Sequence, residues 1–446
     1  MTYPRLLMNE LEPALLAATP VSFGRVASID GQRMSIAGLA GLGRIGDRAV
    51  IKREGGAALD LEIIGANGRL LVAYAFGAPV GVSAGDRVCL QRFGGYSQPS
   101  ESWLGETLNW CGLRPDGSAP RKGAREFLIN APPPPASFRK RLGPRLATHH
   151  AVFDTFLPLC RGQRIGLFAG SGVGKSMLLS SLVRQVEADI CVVAMIGERG
   201  REVRSFLEDA LTEWSRPRSV VIASTSDESA LAKRQCARLA MTTAEYFRSR
   251  GAHVLLVFDS LTRFAEAHRE IALAAGEPPS LHAYPPSTFG ALSSLVERAG
   301  PGVDGEGDIT AVFSVLVAGS DMEEPVADMV RGILDGHVIL DRKIAERGRF
   351  PAIDVRRSVS RSLPAAASAE ENELLHQGRS ILSAYEDSEM IVRAGLYADG
   401  ADAAIDQAIK IWPALDRFFT IQSDAPPEHH FSLLQAVLAD EPQQRG

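Results

Sequence analysis

The chain carries no excess of positive charge: 48 Lys and Arg stand against 53 Asp and Glu in 446 residues, a formal net charge of −5. That balance argues against a dedicated nucleic-acid binder, which neutralises phosphates with clustered Lys and Arg, although a local basic patch stays open. Long hydrophobic runs are also missing, as is a basic-then-apolar leader after Met1, so the expectation is a cytoplasmic chain. Cysteine is scarce. Cys89, Cys111, Cys160, Cys191 and Cys236 are odd in number, widely spaced and without metal-ligand pairing, which excludes a disulfide framework and a zinc site. Aromatic residues make up 7%, and the β-prone amino-terminal region has only Phe23, Tyr74 and Phe76, too few for a base-stacking face. No internal repeat is visible.

What is present points to a multidomain soluble protein, since 446 residues exceed one compact core and suggest about two to four domains. In residues 1–20, Leu6, Leu7, Leu11, Leu15 and Leu16 fall on one face of a short amphipathic helix, interrupted at Pro13, that would dock on a partner or on its own domain. Over 21–95, short β-prone pieces are punctuated by Asp30-Gly31, Gly55-Gly56, Asn67-Gly68 and Gly85-Asp86. These are hairpin signals, and they predict a small antiparallel barrel or sandwich serving as an assembly collar. Residues 93–150 are poorly patterned and include the stiff tract Pro132–Pro135. From Arg164 to about Leu340, apolar runs at Ile190–Ile196, Ser219–Ser224, His253–Phe258 and Ile309–Val317 alternate with helical stretches such as Glu202–Trp214 and Glu228–Arg250. Such alternation predicts an α/β core with a mostly parallel sheet and helices on both faces. We place the core in 96–365 and a helical domain in 366–446, the latter patterned by Leu374, Leu375, Ile381, Leu382, Ile405, Ile409 and Ile411 and by a last helix around Phe431–Leu438.

Inside the core, Gly170-Ser171-Gly172-Val173-Gly174-Lys175-Ser176 joins a strand-like run, Arg164–Ala169, to a helical one beginning at Met177. Closely spaced glycines let backbone N–H groups converge on phosphate oxygens, and the helix adds its positive dipole end. Lys175 is assigned to the β- and γ-phosphates and Ser176 to magnesium. Ala169 stands where this kind of loop usually opens with glycine; it fits if its φ is negative and Gly170, Gly172 and Gly174 supply the unusual angles. Val254–Asp259 reads as a buried strand ending in an acid, which makes Asp259 a second metal-site residue, with a helix N-cap as the alternative. Ile190–Ile196 runs into Gly197-Glu198-Arg199-Gly200-Arg201-Glu202. Glu198, at a strand end, is placed to orient water and accept a hydrogen bond from it, and Arg199 to steady the nearby loops; an exposed charged turn is the alternative.

These residues also carry a resemblance over nearly the whole chain. Asp154–Ser176, Ile196–Val203, Asp259–Arg263, Ala275–Pro279, Tyr284–Ser287, Gly332–His337, Phe350–Asp354 and Ser358–Arg361 resemble the flagellar and type III secretion export ATPases, relatives of the rotary ATP synthase catalytic β subunit. The resemblance implies a RecA-like P-loop core with a small N-terminal β-barrel and a C-terminal helical domain, working as a homohexamer with ATP and Mg2+ at subunit interfaces. It makes Glu198 the water-activating base and Arg361 an arginine inserted into the neighbouring subunit's site. Phe350 becomes the aromatic that packs on adenine, and Tyr397 a candidate for the opposite face. Arg263 would contact phosphate or link the acid-bearing strands. The loop Gly276–Pro286 would face the central channel.

Implied partners are stator and stalk proteins of the export apparatus, exported flagellar proteins and their chaperones, and the export gate, which would place the protein peripherally at the cytoplasmic face of the inner membrane; nucleic acid is not among them. Three departures from the family pattern fall on Ala169, on Leu104–Gly117 and on Thr148-His149-His150. The alternatives are a rotary synthase catalytic subunit, an injectisome ATPase, an RNA translocase and a catalytically silent ring subunit.

Overall fold

The structure is a computed structural model that describes residues 22–53, 56–91, 95–280, 283–317 and 322–439. The leucine-bearing helix expected over 1–20 lies outside these residues, as do positions 281 and 282 of the Gly276–Pro286 loop.

Six strands, β1 (Phe23–Asp30), β2 (Arg33–Ala37), β3 (Arg48–Ile51), β4 (Leu59–Asn67), β5 (Leu70–Ala75) and β6 (Arg87–Gln91), close into an antiparallel barrel in the order β1-β2-β5-β4-β3-β6. Alternate residues point inward because successive Cβ atoms of a strand leave opposite faces, so Met34 and Ile36, Leu59, Leu61 and Ile63, and Leu71, Ala73 and Ala75 form the barrel core. Two of the expected hairpin turns are realised. Asp30 pairs with Arg33 and Asn67 with Leu70, leaving two-residue connections in which Gly31 (φ 58°) and Gly68 (φ 60°) take the left-handed backbone that L side chains disfavour.

The nucleotide-domain region contains a nine-stranded sheet, mostly parallel. Its chain order begins with β7 (Tyr96–Ser97) and β9 (Phe127–Leu128), two-residue strands outside that sheet, and with β8 (Thr107–Asn109), which belongs to it. Then follow β10 (Arg164–Ala169), β11 (Ile190–Glu198), β12 (Ser219–Thr225), β13 (His253–Asp259), β14 (Gly300–Pro301), β15 (Asp308–Leu316), β16 (Gly336–Leu340) and β17 (Ile353–Ser360). The strand order is β17-β16-β10-β15-β13-β11-β12-β8, with β14 on β15; only the β14 and β17 pairings are antiparallel. The segment Leu104–Gly117 therefore supplies a sheet edge, Leu108 pairing with Ile222.

Strand periodicity sorts the apolar residues into two cores. Leu167, Val193, Met195, Leu255 and Val257 face the helices Lys175–Gln185 and Gly200–Ala210 and the carboxy-terminal helices. Phe168, Ala194, Ile196, Leu256 and Phe258 face the helices Ala230–Ser249, Leu261–Ala275, Ser287–Glu297 and Pro325–Ile333. Strands buried on both faces read as continuous apolar runs, which is why they were visible in the sequence. The helix expected over Glu202–Trp214 ends earlier, at Ala210, where Ser215 Oγ donates to the Ala210 carbonyl (2.6 Å) and the chain turns away.

Three helices, Ala369–Arg393, Ala403–Phe418 and Pro427–Leu438, complete this part of the chain. The first starts in a capping box, Ser368 with Glu371, which satisfies two backbone donors reciprocally. The unusual Thr148-His149-His150 has a role here: Thr148 donates to Asp154 Oδ1 (2.7 Å), and Asp154 Oδ2 bonds His430 Nδ1 of the last helix (2.9 Å), both buried. Nearby, a Cβ on Gly378 would lie 2.6 Å from the Phe156 ring. Alanine is the better helix former by ~1 kcal/mol, yet Phe156 is fully buried and packed edge-on against Phe419 at 5.4 Å, so overpacking wins. Gly378→Ala is expected to destabilise by about 1–3 kcal/mol, read as a lower urea midpoint; a higher midpoint would show that the ring has room to move.

Candidate nucleotide-binding site

At the carboxyl ends of the parallel strands, β10 passes into the loop Gly170–Gly174 and the helix starting at Lys175. Ala169 closes β10 and is buried, paired with Leu316 and Leu340 on either side. The left-handed angles belong to Gly172 (φ 78°) and Gly174 (φ 88°), whereas Gly170 does not adopt one. The expectation that Gly170 would share in them is thereby corrected, and Ala169, which ends a strand and is not among the positive-φ residues, needs no glycine. Ser171, Val173 and Ser176 complete the loop, with Val173 buried as its apolar anchor. A crevice beyond the carboxyl edge of an open α/β sheet is where such folds hold ligands, and here a cleft of about 600 Å³ opens over the loop.

Two acids converge on Lys175. Asp259, the last residue of β13, bonds the Lys175 ammonium and accepts from Ser314 Oγ at 2.5 Å. Glu198, the last residue of β11, lies 3.7 Å from Lys175 Nζ. The side chains of Lys175, Glu198 and Asp259 are 11%, 13% and 5% exposed, so this is a buried cluster. Ser260 Oγ, not Asp259, receives the Arg263 N–H of the following helix (3.3 Å), so the Asp259 carboxylate is engaged by Lys175 and Ser314 and not by that helix N-terminus. Burial, reinforced by the neighbouring Asp259 charge and opposed by Lys175, pushes the Glu198 carboxyl up to about 7. It donates a hydrogen bond to Glu202, whose own carboxyl that bond holds below the ordinary glutamate range. A carboxyl poised near neutrality beside a phosphate loop suits a group that must take a proton from water.

The remaining expected residues fall in different places. Arg199 lines the cleft, but its side chain is 74% exposed and paired with Glu202 at 3.1 Å. Arg263 lines it as well, paired with Glu266 at 2.8 Å and packed beside Gly197. The ring of Phe350 lies on the loop, so that a Cβ on Gly174 would come within 3.2 Å of it. Tyr397 is not among the residues lining the cleft: its hydroxyl bonds the carboxylate of Asp406 (2.8 Å), in the first turn of the helix Ala403–Phe418. Arg361 follows β17, and its N–H bonds the Asp335 carbonyl, while the Asp335 carboxylate holds Arg164 at the start of β10. Arg361 and the phosphate loop therefore lie at opposite ends of β10, whose six residues span roughly 20 Å. Sequence reasoning missed Ser314, the hydroxyl that holds Asp259; a polar residue near the carboxyl end of the apolar run Ile309–Val317, where Thr310 is the other, was its signal.

Fold and site define a P-loop nucleotide-binding domain of the ATP synthase kind: the ATP synthase alpha/beta family, nucleotide-binding domain, matches residues 150–360. The T3SS EscN ATPase C-terminal domain matches residues 367–434. The chain belongs to the flagellar and type III secretion export ATPase family. It is 42% identical to the flagellum-specific ATP synthase of Caulobacter vibrioides, over 97% of this chain and 100% of that protein. Among solved structures it is similar to the assembled ATPase EscN of the enteropathogenic E. coli type III secretion system (TM-score 0.86, 34% identity, 93% of this chain and 100% of that one). It is likewise similar to EscN in complex with its central stalk EscO (TM-score 0.83, 34% identity, same coverage).

Proposed function

We propose that this chain hydrolyses ATP in an Mg2+-dependent reaction, as a homohexamer, to drive protein export through a flagellar-type apparatus. The carrying observation is the buried grouping of Lys175, Glu198 and Asp259 at the mouth of the phosphate loop. The Ser176 hydroxyl and the Asp259 carboxylate are the hard oxygen donors to hold Mg2+, which normally takes one or two protein ligands plus phosphates and water. Bound Mg2+ supplies positive charge against the β- and γ-phosphates. Loop N–H groups and Lys175 bind and orient the triphosphate, Glu198 holds the attacking water and takes its proton, and Phe350 offers its 42% exposed ring to the base. Arg361, remote from its own loop, serves the adjacent subunit's site.

The reading of export over energy transduction draws on the EscN-type carboxy-terminal match and on the flagellar relatives. EscN's assembly and its stalk complex support a ring with a stalk partner for this chain too, working at the cytoplasmic face of the inner membrane. Phosphate release measured with Mg2+ and with excess EDTA tests the chemistry. At least a hundredfold loss in EDTA is expected; equal rates would refute the metal assignment. In cells, Lys175→Ala should abolish export of flagellar subunits, and normal export by that variant would sink the proposed role.

A further inference from the structure

We propose that Arg349 is a positioning residue for the nucleotide base, tying the phosphate loop to the carboxy-terminal helices through Phe350; this rests on the reading of Phe350 as the base-stacking ring. Gly348 (φ 79°) ends the short helix Arg342–Glu346, and the chain then crosses in a few residues to β17. Phe350 sits in that crossing, with its ring against Gly174. The side chain of the preceding residue is turned the other way. Arg349 is 8% exposed, and its Nη2 donates to the Ile353 carbonyl at 2.6 Å, closing the crossing upon itself. Its Nε lies 3.4 Å from Asp416 of the helix Ala403–Phe418, and its guanidinium stands 5.4 Å from the centroid of Phe419.

Those contacts make one rigid connection. A planar guanidinium presents its donors in a fixed fork and can lay its face toward an aromatic ring, a geometry that a compact ammonium does not fix and an apolar chain cannot supply. The height of Phe350 over Gly174 is therefore set by where Asp416 and Phe419 stand. Burial pushes the Asp416 carboxyl up while Arg349, the first of two opposing cations, and Arg347 hold it down. A cavity of about 320 Å³ adjoins the crossing, bounded by Arg349, Asp416 and Phe419 and by the stacked pair Tyr385 and Trp412, centroids 4.6 Å apart. The carboxy-terminal helices thus have space beside the connection, while the connection itself is short and buried at Arg349. Arg349, Asp416 and Phe419 do not line the cleft over the phosphate loop, so their influence falls on affinity for the base and not on the chemical step.

The test compares full-length Arg349→Met, Phe350→Ala and the double variant, each shown to fold by its melting curve, using ATP and inorganic tripolyphosphate, which has no base. Arg349→Met is expected to raise KM for ATP about tenfold, the scale of one lost base-aromatic stack, with kcat within about threefold and tripolyphosphate inhibition unchanged. The double variant should be no worse than Phe350→Ala, because both act through one ring. If Phe350→Ala weakens ATP and Arg349→Met does not, the positioning role is overturned while the base-stacking reading stands. If Phe350→Ala leaves KM unchanged, the base-stacking reading falls and this inference with it. Equal weakening of ATP and tripolyphosphate by Arg349→Met also overturns it, as general loosening of the site. Should Arg349→Met fail to fold, Asp416→Asn reads the same connection from the other side: a KM about threefold higher supports it, and an unchanged KM overturns it.

Discussion

Glu198→Gln is expected to bind ATP within about threefold of the parent and to hydrolyse it about a thousandfold more slowly, the middle of the range for losing a general base. The amide fills the same volume at the end of β11 and can still hydrogen-bond Glu202, so the cleft keeps its shape. What it cannot do is accept a proton. In the parent, the Glu198 carboxyl must be ionised to act, and burial with the adjacent Asp259 charge has raised it to about 7; turnover should accordingly fall as pH drops below neutrality. The same shift predicts a stability effect of opposite sense. Because the folded value lies above the unfolded one, the folded state holds the proton more tightly, and the stabilisation is present at low pH and lost as pH rises through about 7. At pH 8 the parent contains a carboxylate that burial disfavours and the variant does not. Nucleotide-free Glu198→Gln should therefore be more stable than the parent at pH 8, by on the order of 1–2 kcal/mol, with the gap closing toward pH 5. Near-parental turnover would refute the base assignment, and a gap independent of pH would refute the account of Glu198's environment.

The parts of this site that were legible in the sequence are those made by neighbours in the chain. Strand, glycine turn and helix follow one another in Arg164–Gln185, and Asp259 ends an unbroken apolar run, so local chemistry suffices to propose them. The barrel turns at Gly31 and Gly68 were equally local. Residues brought in from a distance were not legible in the same way. The strand Thr107–Asn109 has only three residues, and its character comes from pairing with Val221–Ala223, so no pattern of its own marks it. Arg349 reads in the sequence as one more charge in Arg342–Arg349, and only the fold shows it buried between Ile353, Asp416 and Phe419. Glu198 stands at its strand end as expected, while its raised pKa comes first from burial and then from how close β13 carries Asp259. Tyr397 was proposed from family likeness; its hydroxyl bonds Asp406, a contact that no local pattern marks.

Mixing Lys175→Ala and Arg361→Ala subunits, each inactive alone, should restore hydrolysis. The argument starts from the sheet. β16 runs parallel to β10 and β17 antiparallel to β16, so the chain leaving β17 arrives at the amino-terminal edge of the sheet, where Arg361 bonds Asp335. The phosphate loop lies at the other edge, a full strand length away, farther than an arginine side chain extends. Arg361 is exposed there, its Nη2 resting 3.4 Å from the Arg331 carbonyl. A residue in that position has no route to its own γ-phosphate, but in a closed ring of heterologous contacts it can face the next subunit's loop. A planar cation delivered there would neutralise charge developing on the transferred phosphoryl group, an effect worth a thousandfold or more in related chemistry. Each Lys175→Ala subunit retains Arg361, and each Arg361→Ala subunit retains Lys175. When the two are mixed in equal amounts, roughly one interface in four joins a good loop to a good arginine, as random placement around a closed ring requires. Activity of at least a few per cent of the parent is the expected result, absent in either variant alone and lost when preassembled rings are mixed without exchange. Hybrid rings verified by native mass spectrometry that show no recovery would mean that Arg361 does not act across the interface. If a single Arg361→Ala ring keeps parental turnover, the arginine has no part in the reaction at all.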